Sequence, residues 1–114
     1  MEVTNKTKTV FLEVMGDHPM NRILDFLIIF NKFDYSKKEI ARNSHVSYAT
    51  LKYLWPNLER IGLVTFTRKI GKATLYKLNT ENPIVKQLMK TYHIISMTIA
   101  KKELELEEEE VKVK

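Results

Sequence analysis

Between Ser47 and Leu78 the hydrophobic period of the chain changes once, and the change falls on a glycine. On the near side Leu51, Leu54, Leu58 and Ile61 recur at steps of three, four and three, which is one stripe of an amphipathic helix. Beyond Gly62 the period is two. Val64, Phe66 and Arg68 alternate with Thr65, Thr67 and Lys69, and Thr74, Tyr76 and Leu78 alternate with Ala73, Leu75 and Lys77. That pattern is a β-hairpin. Gly62 is the natural stop for the helix. Two registers compete. A two-residue Gly71-Lys72 loop sets Phe66 opposite Lys77. A three-residue Ile70–Lys72 loop sets Phe66 opposite Tyr76 and Val64 opposite Leu78. The second gathers apolar residues on one face and is the predicted register.

Upstream, the signals are caps and breaks. Thr9 to Met15 is a short apolar run, with Phe11, Leu12 and Met15 at helical spacing, closed by Gly16. Pro19 suits the first turn of a helix. Ile23, Phe26, Leu27 and Phe30 then predict about 14 helical residues, apolar nearly all round and so largely buried. Ser36 and Glu39 have the spacing of a capping box, ahead of a short helix from Lys37 to about Asn43. Asn43-Ser44-His45 reads as a turn, and Ser47 is a second N-cap candidate. Ala41 is small where two helices approach, and Val46 plugs the turn. Pro56 interrupts the stripe. It removes a bond to the Lys52 carbonyl, so the helix either kinks near Trp55 or ends there and restarts at Pro56, and the continuous Leu51–Ile61 stripe favours the kink.

Downstream, Pro83 starts a helix of about 20 residues whose apolar stripe is Ile84, Leu88, Tyr92, Ile95 and Ile99. The stripe is long and wide for a chain whose core already has helices and a sheet. The predicted use is a dimer seam, part of it covered by the run around Phe11; the competing use is internal packing. Residues 102–114 are mostly charge and form a tail that either extends the helix or frays. The predicted organisation is one domain over 1–101 and a charged tail over 102–114. The class is mainly α with a small β-hairpin, α+β.

Charge directs attention to the middle. The chain has 114 residues and a net charge of +5. From Ser36 to Leu78 there are nine bases against two acids, a net +7. Such a block points to a polyanion, most often nucleic acid. The helix after Ser47 turns Ser47, Tyr48, Thr50, Lys52 and Tyr53 outward: hydroxyls, a base and two phenols. A helix fits the major groove of DNA, and its N-terminal residues reach base edges. Arg68, Lys69 and Lys72 gather near the hairpin tip, and Lys37 and Lys38 start the short helix. These ten residues are the predicted DNA contacts.

Other chemistry has little support. The chain lacks cysteine, which excludes disulfides and a thiolate zinc site. His18, His45 and His93 lie far apart, without metal-ligand spacing, and no phosphate-cradling glycine loop is present. No metal, cofactor or enzymatic activity is expected. No apolar run reaches the roughly 20 residues of a membrane span, and the start, Met1 to Thr9, lacks a signal-peptide pattern. A cytoplasmic protein is the expectation.

The run Lys-Lys-Glu-Ile-Ala-Arg-Asn-Ser-His-Val-Ser-Tyr-Ala-Thr-Leu-Lys-Tyr-Leu from Lys37, the Leu58–Val64 exit Leu-Glu-Arg-Ile-Gly-Leu-Val, and the basic hairpin after it resemble a winged helix-turn-helix. The resemblance is to transcriptional regulators of the broad group that includes the MarR and ArsR families. Over Phe11 to Asn79 it looks like a small archaeal set of them. It implies a recognition helix over about 47–61, a wing over about 64–78 and a C-terminal dimerisation helix. The implied partners are double-stranded DNA and a second copy of the chain, with any small-molecule effector unknown. The alternatives are a protein-interaction winged helix of transcription or replication machinery, or a sequence-tolerant architectural DNA binder.

Overall fold

A computed structural model describes residues 8–113. The predicted polar start therefore lies mostly outside the described residues. The order is α1 (Val10–Met15), α2 (Pro19–Ile29), α3 (Lys37–Asn43), α4 (Tyr48–Ile61), β1 (Val64–Ile70), β2 (Ala73–Leu78) and α5 (Pro83–Val113). The fold is mainly helical with one antiparallel hairpin, as the periodicities predict. No described helix is long and apolar enough to cross a membrane.

Local signals set the helix ends. Thr9 Oγ1 accepts from the Leu12 amide, and Gly16 stops α1 with φ 110°. Pro19 opens α2, which has 11 residues rather than about 14. At its end the Asn31 side chain takes over the Ile28 carbonyl, its Nδ2 donating to it at 2.7 Å. The capping box forms as spaced: Ser36 Oγ accepts from the Glu39 amide, and Glu39 Oε1 accepts from the Ser36 amide. Gly62 takes φ 82° and ends α4.

Pro56 neither ends nor splits α4, which runs unbroken from Tyr48 to Ile61. Lys52 and Pro56 both lie on the exposed side. The carbonyl that proline leaves unpaired therefore faces water, where it costs least. The buried stripe of α4 is Leu51, Trp55 and Leu58, with Leu54 and Ile61 only flanking it. Trp55 is the largest fully buried side chain and had no place in the predicted stripe.

The hairpin keeps the predicted base and changes the predicted tip. Val64 pairs with Leu78 and Phe66 with Tyr76. Beyond them Arg68 faces Leu75 and Ile70 faces Ala73, so the loop is the two residues Gly71 and Lys72. A bulge at Thr67 absorbs the one-residue difference. Both registers are thus satisfied in part. Apolar pairing fixes the base, and Gly71, with φ 60° at the first loop position, favours the two-residue turn. Tyr35 adds a single bridge to Tyr76, with both backbone bonds at 2.8 Å.

The core fills the space between α2, α3, α4, the hairpin base and the start of α5. Ile23, Leu27, Ile40, Leu51, Leu58, Leu78 and Val85 are fully buried there. Asn82 fastens α5 to it. Its Oδ1 accepts from the Ile84 amide at 2.7 Å, and its Nδ2 donates to the carbonyls of Ile61 and Gly62 at 3.0 Å each. One side chain thus caps α5 and closes the C-terminus of α4.

α5 has 31 residues, not about 20, and residues 102–113 continue it. The tail is rich in Lys, Glu and Leu and lacks Gly and Pro, so nothing in it stops a helix. Of the predicted seam, Leu88 and Tyr92 pack on the chain's own core. The ring of Tyr92 stacks on buried Phe11 at 4.9 Å. Its hydroxyl donates to Asp25 Oδ1 at 2.7 Å, which also accepts from Thr9 Oγ1 at 2.9 Å. Burial pushes the Tyr92 phenol well up, and the Asp25 carboxylate adds to the shift. These two seam positions are therefore spent inside one copy, because α1 folds back on α5. Ile84 is exposed, and Ile95 and Ile99 are half-buried.

Candidate nucleic-acid interface

The candidate interface begins at the turn between α3 and α4. His45 sits in the left-handed region with φ 58°, unusual for a residue with a side chain. The turn is closed by backbone bonds from Val46 to Ala41 and from His45 to Arg42. Arg22 braces it from outside, donating to the His45 carbonyl at 2.9 Å and to Asp17 at 2.6 Å. The guanidinium holds the Asp17 carboxyl below its usual range. With Val46 buried in the core, the entry of α4 is fixed.

Ser47 caps α4. Its Oγ accepts from the Thr50 amide at 3.1 Å and donates to Thr50 Oγ1 at 2.9 Å. These two hydroxyls therefore satisfy one another. Tyr48 lies between two cations, with the Lys52 ammonium 4.8 Å and the Lys38 ammonium 5.7 Å from its ring centre. Lys37 stands 5.6 Å from the rings of both Trp55 and Tyr76. Ring faces attract cations, so these aromatics hold lysine heads in place without neutralising them. Tyr53 is held by nothing and is 83% exposed.

α3, α4 and β2 meet around a crease of about 470 Å³. Lys37, Lys38 and Lys72 line it, with Ser36, Tyr48 and Thr74. Lys72 comes from the hairpin loop, 34 residues from Lys38 along the chain, yet all three cations face one hollow. A concave basic surface with hydroxyl donors suits an anion such as backbone phosphate.

The structure brings Lys37, Lys38, Tyr48 and Lys72 to the crease and leaves Lys52, Tyr53 and Lys69 exposed outside its lining. It separates Arg68 from them. The Arg68 guanidinium lies on Asp34, a residue of the α2–α3 loop, through Nε at 2.9 Å and Nη2 at 3.2 Å. Hydrogen bonds from Arg68 and then Thr67 hold the Asp34 carboxyl below its ordinary value. Asp34 is not among the residues that the sequence marks for the site. Its signal is weak: one acid in a basic surrounding. Among the described residues no cluster of His, Asp and Glu is placed to hold a metal.

No family model matches the chain, and no curated protein matches it. Solved structures do. It is similar to MepR, a transcription regulator of the Staphylococcus aureus multidrug efflux pump MepA, at 19% identity and TM-score 0.58, over 80% of this chain and 70% of that one. It is similar to Lactococcus lactis ZitR, solved in complex with DNA, at 16% identity and TM-score 0.54, over 81% and 66%. It is also similar to the adhesin competence repressor AdcR of Streptococcus pyogenes, at 16% identity and TM-score 0.55, over 98% and 91%. Identities this low establish architecture alone: the chain has the winged-helix fold of these regulators, mainly helical with one antiparallel hairpin and a C-terminal helix.

Proposed function

We propose that this chain is a transcription regulator that binds double-stranded DNA site-specifically, as a homodimer. The observation that carries the reading is the crease, where Lys37, Lys38 and Lys72 converge beside Tyr48 with no carboxylate among its lining residues. In this reading the crease follows the phosphate backbone. Lys52 and Tyr53 of α4 face the major groove, Ser47 and Thr50 set the helix entry, and the wing carries Arg68 and Lys69. ZitR, of the same fold, was solved with DNA, which supports the partner.

The second copy is proposed from α5. Ile84, Ile94, Met97, Leu104 and Leu106 are exposed on it. By helical spacing Ile84, half-buried Ile95 and Ile99, and Leu106 share one face, an apolar surface of the kind that marks an interface. A two-fold pair would present two α4 helices to a pseudo-palindromic site. The kinship with a small archaeal group, a cytoplasmic setting and the absence of enzymatic activity belong to the same proposal.

A gel-shift titration with random duplexes at low salt tests the partner. Binding is expected, and should weaken steeply as salt rises. Replacing Lys37, Lys38 and Lys72 with Ala should flatten the salt dependence by about three, one per lost phosphate contact. No shift with any duplex would overturn the reading. Selection from a random pool should return a two-half-site sequence; a pool that stays random favours the architectural alternative.

A further inference from the structure

Among the described residues, Arg68 is the one base of the 36–78 block that carries an ion pair. It is also the hairpin's one arginine. Its partner is oddly placed. Asp34 Oδ2 accepts from Thr67 Oγ1 at 2.6 Å and from Arg68 Nε at 2.9 Å. Successive strand residues point to opposite faces of a sheet, so Thr67 and Arg68 should not share an acceptor. They do so because the bulge falls between Phe66 and Arg68. The irregularity in the wing is what brings both donors onto one carboxylate.

The geometry resembles another kind of contact. Arg68 meets Asp34 with two nitrogens on two oxygens, at 2.9 and 3.2 Å. This fork is also how arginine grips a phosphate. The two ends of the pair differ in access: the Arg68 side chain is 61% exposed and that of Asp34 16%. A phosphate arriving from solvent meets the arginine and not the acid. Carboxylate and phosphate are alternative partners for the same fork, so a phosphate on the open side of Arg68 can take the place of Asp34.

We propose that Asp34 stands in for a DNA backbone phosphate. It occupies Arg68 in the free protein and withholds it from duplex DNA until the α4 and crease contacts have formed. Asp34 is thus a specificity-determining residue: it weakens binding to arbitrary sequence, where those contacts are incomplete, more than binding to a matched site. The inference rests on the DNA-binding reading above.

The test is a double-mutant cycle on the full chain with wild type, Asp34→Asn, Arg68→Ala and the double variant. Each is titrated with a random duplex and with a duplex selected by the wild type. Asparagine keeps an acceptor for Thr67 and removes the charge. Asp34→Asn should bind the random duplex about three- to tenfold tighter, with a salt slope steeper by about one. The ratio between selected and random duplex should narrow. Arg68→Ala alone should change random binding less than twofold, about the limit of the assay, and Asp34→Asn should add nothing to it. Weaker or unchanged binding by Asp34→Asn, with the fold intact by circular dichroism, would make Asp34 a strut only. An equal gain in the Arg68→Ala background would reduce the effect to one lost negative charge. Either result overturns the proposal. Asp34→Ala in the same cycle replaces the Asn variant if that variant unfolds. Failure of the wild type to bind any duplex would instead remove the DNA-binding reading itself.

Discussion

α4 and α5 are both amphipathic helices with apolar steps of three and four, yet they end differently. Every large apolar residue on the inner side of α4 has a place in the core, and both its ends are capped. α5 is anchored along its first half only, more firmly at its start. Val85, Leu88, Met89 and Tyr92 pack inward, and beyond them Ile94, Met97, Leu104 and Leu106 stay exposed. At about 1.5 Å per residue its 31 residues span about 46 Å, most of the 60 Å long axis of the molecule. Periodicity identifies a face in both cases. Only the fold tells whether that face is consumed within one copy.

The largest break in this comparison should come from Trp55. Replacing it with Ala opens a cavity at the centre of α4 packing and should cost about 3–5 kcal/mol. Urea unfolding monitored by fluorescence of remaining chromophores or by circular dichroism measures it. On the α5 side, Ile95→Glu should leave the protomer folded and separate the proposed dimer. Light scattering should then fall from about twice 13.5 kDa to about 13.5 kDa. Affinity for a two-half-site duplex should drop by about a hundredfold as avidity is lost. A wild type already at monomer mass would assign the exposed α5 face some other role.

Smaller effects sharpen the contrast. Tyr92→Phe removes a donor to the buried Asp25 carboxylate and should cost about 1–3 kcal/mol, locating how firmly α1, α2 and α5 are joined. Ser47→Ala removes the α4 cap and should cost about 1 kcal/mol in chemical denaturation. The least effect concerns acid. The Asp17 carboxyl is held below the ordinary carboxylate range, chiefly by its hydrogen bond from Arg22. A depressed folded pKa contributes stability above the unfolded value and loses it as pH falls through the folded one. The stability difference between wild type and Asp17→Asn should therefore shrink only below about pH 4, checked by melting across pH 2–7.

Much of this was legible from local chemistry. Ser36 with Glu39, Ser47 and Gly62 each act within four residues of themselves, and the elements they bound fall where the spacing placed them. Trp55 was not legible, because a residue before proline looks like a break. Its burial depends on tertiary packing that brings Tyr76 of β2 to within 5.1 Å of its ring and Lys37 of α3 over it. The bulge at Thr67 escaped for a related reason. Two registers were each half correct, and no local rule says that a strand will satisfy both. The crease and the Asp34–Arg68 pair join residues 34 or more positions apart. Charge counting found the block but not which of its bases are free.

The Asn82 amide is a joint as well as a cap, since α4 ends and α5 begins on the same side chain. α4 has 14 residues and reaches about 21 Å from that joint. A rotation of about 10° there would sweep the far end of α4 by nearly 4 Å, comparable to the roughly 3.4 Å rise between successive bases of a strand. In the proposed pair of copies seamed along α5, the half-site spacing would be set through this junction, which Asn82 shares with Asn79, whose Nδ2 also donates to the Gly62 carbonyl at 3.0 Å. Stiffness at Asn82 would set how many base pairs of mismatch in spacing the pair tolerates.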